Sequence, residues 1–206
     1  MEKYPVSLSI DYSDKSKRLT VLFRLFLAIP ILIILALLTS SSYESQQAAK
    51  EVERVYSVGI LFLPTLLMIV FKRKYPRWWF DWNLALTKFS LRVASYLLLL
   101  RDDYPSTDEE QAVNVQINYP DVEKELNQWL PLIKWLLVIP HFIVLCFIMV
   151  GVIFCTIIAW FIILFTGKYP RSMFDFVVGF LRWILRVGAY AILLTTDEYP
   201  PFSLSE

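Results

Sequence analysis

Histidine occurs once in this chain of 206 residues, and cysteine twice. His141, Cys146 and Cys155 are too few to assemble a zinc site, a haem ligand set or an iron–sulfur centre. Both cysteines fall inside one apolar run, so they form no disulfide framework and read as small buried hydrophobes. Glycine is scarce, at five residues, and no P-loop, G-x-G-x-x-G, G-x-S-x-G or H-E-x-x-H is found. A formal net charge of +1 supplies no electrostatic footprint for nucleic acid. The first eighteen residues are polar and lack the apolar core and cleavage site of a signal peptide. These absences leave no catalytic constellation, no metal and no cofactor to expect, and the chain reads as a non-enzyme.

Apolar surface, by contrast, is plentiful. Hydrophobic residues make up 57% and aromatics 16%, above the roughly 45–50% apolar content of soluble domains. A membrane-crossing helix needs about 20 apolar residues. Leu19–Thr39 meets that length, broken only by Arg24, and Val55–Phe71 is shorter but uncharged. The polar segment "SSSYESQQAAKEVER" between them reads as an aqueous loop or helical extension. Trp129–Gly167 would be about 58 Å long as one helix, against a hydrocarbon core of roughly 30 Å. The expectation is a hairpin of two spans turning near Met149–Gly151.

The halves repeat. "VSLSIDYSD" from Val6 matches "VNVQINYPD" from Val113, and "RLFLAIP" ending at Pro30 matches "KWLLVIP" ending at Pro140. "KYPRWWFDW" from Lys74 answers "KYPRSMFDF" from Lys168. "LRVASY" from Leu91 answers "LRVGAY" from Leu185, and "DDYP" from Asp102 answers "DEYP" from Asp197. Each unit, 1–107 and 108–206, reads strand, span, span, YPR turn, amphipathic helix, acidic ending. The fold class expected is an all-α polytopic membrane protein of two such units, each a transmembrane hairpin plus an amphipathic interfacial helix, with a small cytoplasmic β element.

"KYPRSMFDF" and "TTDEYPPF" resemble the motifs of a membrane-protein family catalogued as domain of unknown function 4389, and the chain looks like a tandem copy of it. The first unit departs from that pattern, because "RDDYPST" lacks the second Pro and the Phe. The resemblance implies a membrane location and no particular activity.

Basic residues gather on one side of the expected spans: Lys15, Lys17 and Arg18 before the first, Lys72, Arg73, Lys74 and Arg77 after the second, Lys168 and Arg171 after the fourth. By the positive-inside rule both termini and both YPR turns are cytoplasmic, in a multi-pass protein of a bacterial inner membrane. The two units then enter the membrane in the same sense, related by an axis along its normal. Pro76 and Pro170 end the preceding helices and bias Tyr75 and Tyr169 toward extended geometry, which makes these four residues candidate hinges. In the helix that follows, Asp81, Lys88 and Arg92 lie within about 20° of one another on a helical wheel, as do Asp175, Arg182 and Arg186. A cationic stripe on an apolar body with nearby Trp78, Trp79 and Trp82 suits a helix lying among headgroups, rather than a further span. Arg77, Lys88, Arg92, Arg171, Arg182 and Arg186 are accordingly candidate contacts for anionic lipid or a partner. The YPR arginines are also expected to pair with the acidic endings, Arg77 with Asp197–Glu198 and Arg171 with Asp102–Asp103.

Three polar groups fall within the apolar runs. Arg24 and Lys134, six residues before their prolines, either line a polar site between the units or snorkel to headgroups. His141, whose counterpart is Ile31, reads as structural, with proton relay as the alternative. The acidic clusters lack the 12-residue spacing of a calcium loop. The resulting expectation is an accessory or scaffold subunit whose partners are anionic membrane lipids and a larger membrane complex or a second copy. A small transporter or channel and a lipid-modifying enzyme are the alternatives.

Overall fold

The computed structural model describes residues 4–13, 16–39, 58–107, 109 and 111–205. The expected aqueous loop around Ser45, together with Lys15, Asp108 and Glu110, lies outside the described residues.

The described chain is mostly helical. Strand β1 (Val6–Ile10) precedes α1 (Arg18–Thr39), α2 (Val58–Lys72) and α3 (Arg77–Leu97); β2 (Val113–Ile117) precedes α4 (Pro131–Leu137), α5 (Ile139–Thr166) and α6 (Arg171–Ala191). The strands pair antiparallel, with Val6 opposite Ile117 and Ile10 opposite Val113. Their alternation buries Val6, Leu8, Ile10, Val113, Val115 and Ile117, while Ser9, Asn114 and Gln116 are exposed. This is the pattern of a ribbon wet on one face. An isolated two-stranded ribbon is marginal in water, and here its inner face rests on two helices. α6 packs on β1 and α3 on β2, α5 lies against α6 and α1 against α3, and α1 meets α5 to close the ring.

The hairpin expected near Met149–Gly151 does not form. α5 runs unbroken through it for 28 residues. Gly151, the turn-prone residue at that point, instead faces the ring of Phe176 on α6. A turn among lipid tails would leave backbone groups unsatisfied, which continuing the helix avoids. Upstream, the Val138 amide bonds Lys134 and the Phe142 amide bonds Val138, so helical bonding passes from α4 into α5. Pro140, which has no amide hydrogen, marks the bend between them. The length that argued for folding back is thus accommodated by one bent helix of about 54 Å.

α1 and α5 are long and apolar enough to cross a membrane. Each buries one narrow stripe, Val21, Arg24, Ala28 and Ile31 on α1 and residues from His141 to Ile163 on α5. Their remaining faces expose large apolar side chains such as Phe26, Leu37, Phe147 and Phe161. α2, at 15 residues, is shorter than a full crossing requires.

α3 and α6 begin at Arg77 and Arg171, directly after extended prolines (ψ 133° at Pro76, 128° at Pro170). The helices before them end in left-handed residues, Arg73 at φ 48° and Gly167 at φ 74°. The amides of these residues bond the carbonyls of Ile69 and Ile163, the left-handed closure usual after a helix end.

Candidate functional site

Arg24 and Lys134 each centre a buried cluster, and the two are closely similar in construction. On α1, Arg24 is 2% exposed, ion-paired with Asp102, and donates from Nη1 to the Tyr96 carbonyl at 2.8 Å. Its guanidinium lies 4.5 Å from the centre of the Tyr96 ring. On α4, Lys134 is fully buried, with Nζ 2.6 Å from Asp197 Oδ1 and donating to the Thr196 carbonyl at 2.7 Å. Nζ sits 4.7 Å from the centre of the Tyr190 ring. Each aspartate also holds backbone ahead of the helix carrying its cation: Asp102 accepts the Lys17 amide at 2.7 Å, and Asp197 the Asn127 amide at 2.5 Å. Arg24 and Lys134 are thus neutralised inside the protein and do not snorkel. They do not share a site either, since the cavity of about 360 Å³ between α1 and α5 is walled by Arg24, Leu25, Thr156 and Trp160 but not by Lys134.

What brings an aspartate back to each cation is a strained turn. Leu99 and Leu194, each three residues before its aspartate, take positive φ (64° and 56°) although buried. A bulky residue there is an outlier, held in place by the packing of its side chain and by the ion pair that follows.

The YPR turns form a second pair of clusters, and each reaches across the ribbon. Tyr119, just past β2, donates to the Tyr75 carbonyl at 2.5 Å, and Arg77 lies 4.8 Å over its ring. Tyr12, just past β1, donates to the Tyr169 carbonyl at 2.6 Å, and Arg171 lies 4.8 Å over its ring. Phe80 and Phe174 meet the same tyrosines edge-on, at 5.2 and 5.0 Å. Each half therefore supplies the tyrosine that closes the other half's turn. Tyr75 and Tyr169 are themselves buried, and burial raises both phenol pKa values. The Tyr75 hydroxyl donates to the Leu193 carbonyl at 3.0 Å. The expected bonds from Arg77 and Arg171 to the acidic endings do not form, because Asp102 and Asp197 are already taken by Arg24 and Lys134.

The amphipathic stripe also turns inward. Arg92 is 8% exposed and donates to the Ser106 carbonyl. Arg182 donates to the carbonyls of Leu8 and Leu204, and Arg186, 3% exposed, to those of Ser203 and Ser205. These guanidiniums tie α3 and α6 to the returning chain and to β1, so they are not held out to headgroups. Lys88 is half-buried, and Arg77 and Arg171 remain exposed.

His141 is fully buried against Trp183, Phe202 and Tyr199. Its Nδ1 accepts the Trp183 indole N–H at 3.0 Å, which leaves the proton on Nε2. Nε2 has no partner among the described residues. Phe202 stacks on the imidazole at 3.9 Å. The ending "TDEYPPF" thus has a division of labour: Asp197 serves Lys134, while Tyr199 and Phe202 enclose His141. In the first half, Ile31 packs with Ala28, Phe89, Val93 and Tyr96, and "RDDYPST" offers no equivalent of Phe202. Among the described residues, no group of three His, Cys, Asp or Glu is placed to hold a metal.

Neither the curated proteins nor the solved structures yield a match to this chain. A family model does: residues 131–203, from the first residue of α4 to just past Phe202, match the one described as Domain of unknown function (DUF4389). The matched segment contains Lys134, His141, the second YPR turn, α6 and the acidic ending. Over that segment, about a third of its length, the chain is similar to the family of domain of unknown function 4389.

Proposed function

We propose that this protein is a non-enzymatic accessory or scaffold subunit of a bacterial inner membrane, built of two tandem units, whose water-facing side docks a partner protein or anionic lipid. The observation that carries this reading is the two-sidedness of the ring. One side presents the exposed apolar flanks of α1 and α5, and the opposite side presents the polar edge of the ribbon. Among the described residues, buried cations hold the chain together: Arg24 and Lys134 close the acidic endings, and Arg92 and Arg186, with half-buried Arg182, bind backbone carbonyls. Charged groups spent on architecture suit a platform more than a reaction centre. The tandem reading is supported by the recurrence of both cluster types, down to the strained leucines. The cationic ends of the helices favour a cytoplasmic ribbon and cytoplasmic termini.

The test is purification of the tagged full chain from native membranes in mild detergent, followed by sizing and mass spectrometry. A second polypeptide at fixed stoichiometry supports the scaffold. A monodisperse protein carrying neither a second polypeptide nor bound anionic lipid overturns it. That outcome would favour a carrier of small molecules, to which the Arg24-walled cavity of about 360 Å³ lends its support.

A further inference from the structure

α4 and α5 begin and end beside cations of the same kind. At the start, the Gln128 side chain donates to the Val70 carbonyl at 2.7 Å, next to exposed Lys72, Arg73, Lys74 and Arg77. At the far end, the Ser16 amide bonds the Gly167 carbonyl at 2.9 Å, next to exposed Lys17, Arg18, Lys168 and Arg171. The two ends are separated by the whole bent helix, because Tyr75 and Tyr169 are clasped at opposite ends of the antiparallel ribbon. A helix crossing the membrane would put one of these basic groups on the far side, against the bias that keeps Lys and Arg cytoplasmic. A hairpin would reconcile the two ends, but the helix has none.

Length points the same way. About 54 Å of helix against a hydrocarbon core of roughly 30 Å would demand a tilt beyond 50°. α1 runs antiparallel beside α5, with Trp160 donating to the Val21 carbonyl at 3.2 Å and Arg18 lying against Gly167. α3 and α6 lie between these helices and the ribbon, since α5 meets α6 and α6 meets β1. The order is therefore apolar helix layer, amphipathic helix layer, polar ribbon. Exposed Trp78, Trp82, Trp129 and Trp135 near the first cationic end are suited to headgroup depth.

We propose that α1 and α4–α5 lie along the membrane plane within one leaflet, with both cationic ends at the same headgroup surface and the ribbon in water. The partner of the apolar face is the acyl layer of an anionic leaflet, matched by eight exposed cations in two groups of four. This rests on the membrane reading above and replaces crossing by immersion. It also places the axis relating the halves along the membrane normal.

Two measurements on the full chain in a Cys146→Ala, Cys155→Ala background test it. Cysteines are placed singly at Lys72 and Lys168 and exposed to an impermeant maleimide in right-side-out and inside-out vesicles. Spin labels at Leu132 and Phe165, both lipid-facing, report the length of the helix. Immersion requires both cysteines to react in one vesicle orientation only, the same one, with labels about 45–50 Å apart. Reaction of the two sites from opposite faces means a crossing helix and overturns the proposal. Reaction from one face with labels under about 20 Å apart means a hairpin, and also overturns it. Release of the protein by alkaline carbonate would instead defeat the underlying membrane reading, whatever the labelling pattern.

Discussion

Replacing Asp197 by Ala leaves Lys134 with a backbone carbonyl and an aromatic face but no counter-charge. The ammonium is fully buried, with its nitrogen 2.6 Å from the carboxylate in the intact protein. Removing one member of a buried pair costs about 3–5 kcal/mol, because the remaining charge stays desolvated. The same change strips the Asn127 amide of its acceptor. For a chain of this size each kcal/mol displaces the melting midpoint by about 2–4 °C, so Asp197→Ala should lower it by roughly 6–20 °C. The assay is thermal unfolding of the detergent-solubilised protein. Asp103→Ala is the control, since Asp103 is 54% exposed and its pair with Arg101 is worth at most about 1 kcal/mol. The double variant Lys134→Met, Asp197→Leu should recover most of the loss, because an apolar pair needs no compensation. If Asp197→Ala melts no lower than Asp103→Ala, the buried pair is not structural, and the argument that these charges are spent on architecture fails.

Tyr12→Phe and Tyr119→Phe each remove one hydroxyl that closes a YPR turn while sparing the ring under the arginine; each should cost about 1 kcal/mol in thermal unfolding. Gly179→Ala should destabilise by about 1–3 kcal/mol, since its new Cβ would lie 2.8 Å from the Leu204 carbonyl oxygen. Gly188→Ala, with nothing within 4 Å, should instead stabilise α6 by up to about 1 kcal/mol, and equal midpoints for the two alanines would contradict this packing. Arg73→Gly relieves a left-handed backbone and should raise stability by about 1 kcal/mol in the same assay. Arg182→Gln with Arg186→Gln should lower the midpoint and leave binding to anionic vesicles unchanged; vesicle binding lost at full stability would return these residues to the headgroup surface.

Much of the element order was readable because it rests on local rules. Alternation in "VSLSI" and "VNVQI" marked the strands, and proline marked the first residues of α3 and α6. The expected hairpin fails for an identifiable reason: weighing length against membrane thickness assumes that an apolar helix must cross. The partners of the charges were less legible still. Arg24 and Lys134 recur in step with Asp102 and Asp197, so the recurrence of a cation and an aspartate in each half is a signal in the sequence. Wheel geometry, however, gave no way to bring back an aspartate more than sixty residues downstream. That return depends on Leu99 and Leu194 in left-handed conformations, which their side chains disfavour and no propensity scale anticipates. The stripe reads as lipid-facing from sequence for a similar reason: helical periodicity finds a charged face but not what covers it.

The reciprocal tyrosines have a consequence for the order of assembly during synthesis. Tyr12 emerges early, yet the carbonyl it must bond belongs to Tyr169, 157 residues later. At roughly 5–20 residues per second that interval is about 8–30 s. For most of that interval β1 and α3 lack β2, and the inner face of α1 lacks α5. Tyr119 arrives in time to close the first turn, 44 residues after Tyr75, while the second turn must await its own appearance before an old tyrosine can serve it. The nascent first half is thus a sticky, incomplete object whose natural complement is the second half of the same chain. In a crowded membrane the nearest available substitute would be the second half of a neighbouring copy, so polysome density becomes a determinant of whether chains close upon themselves or become entangled with one another.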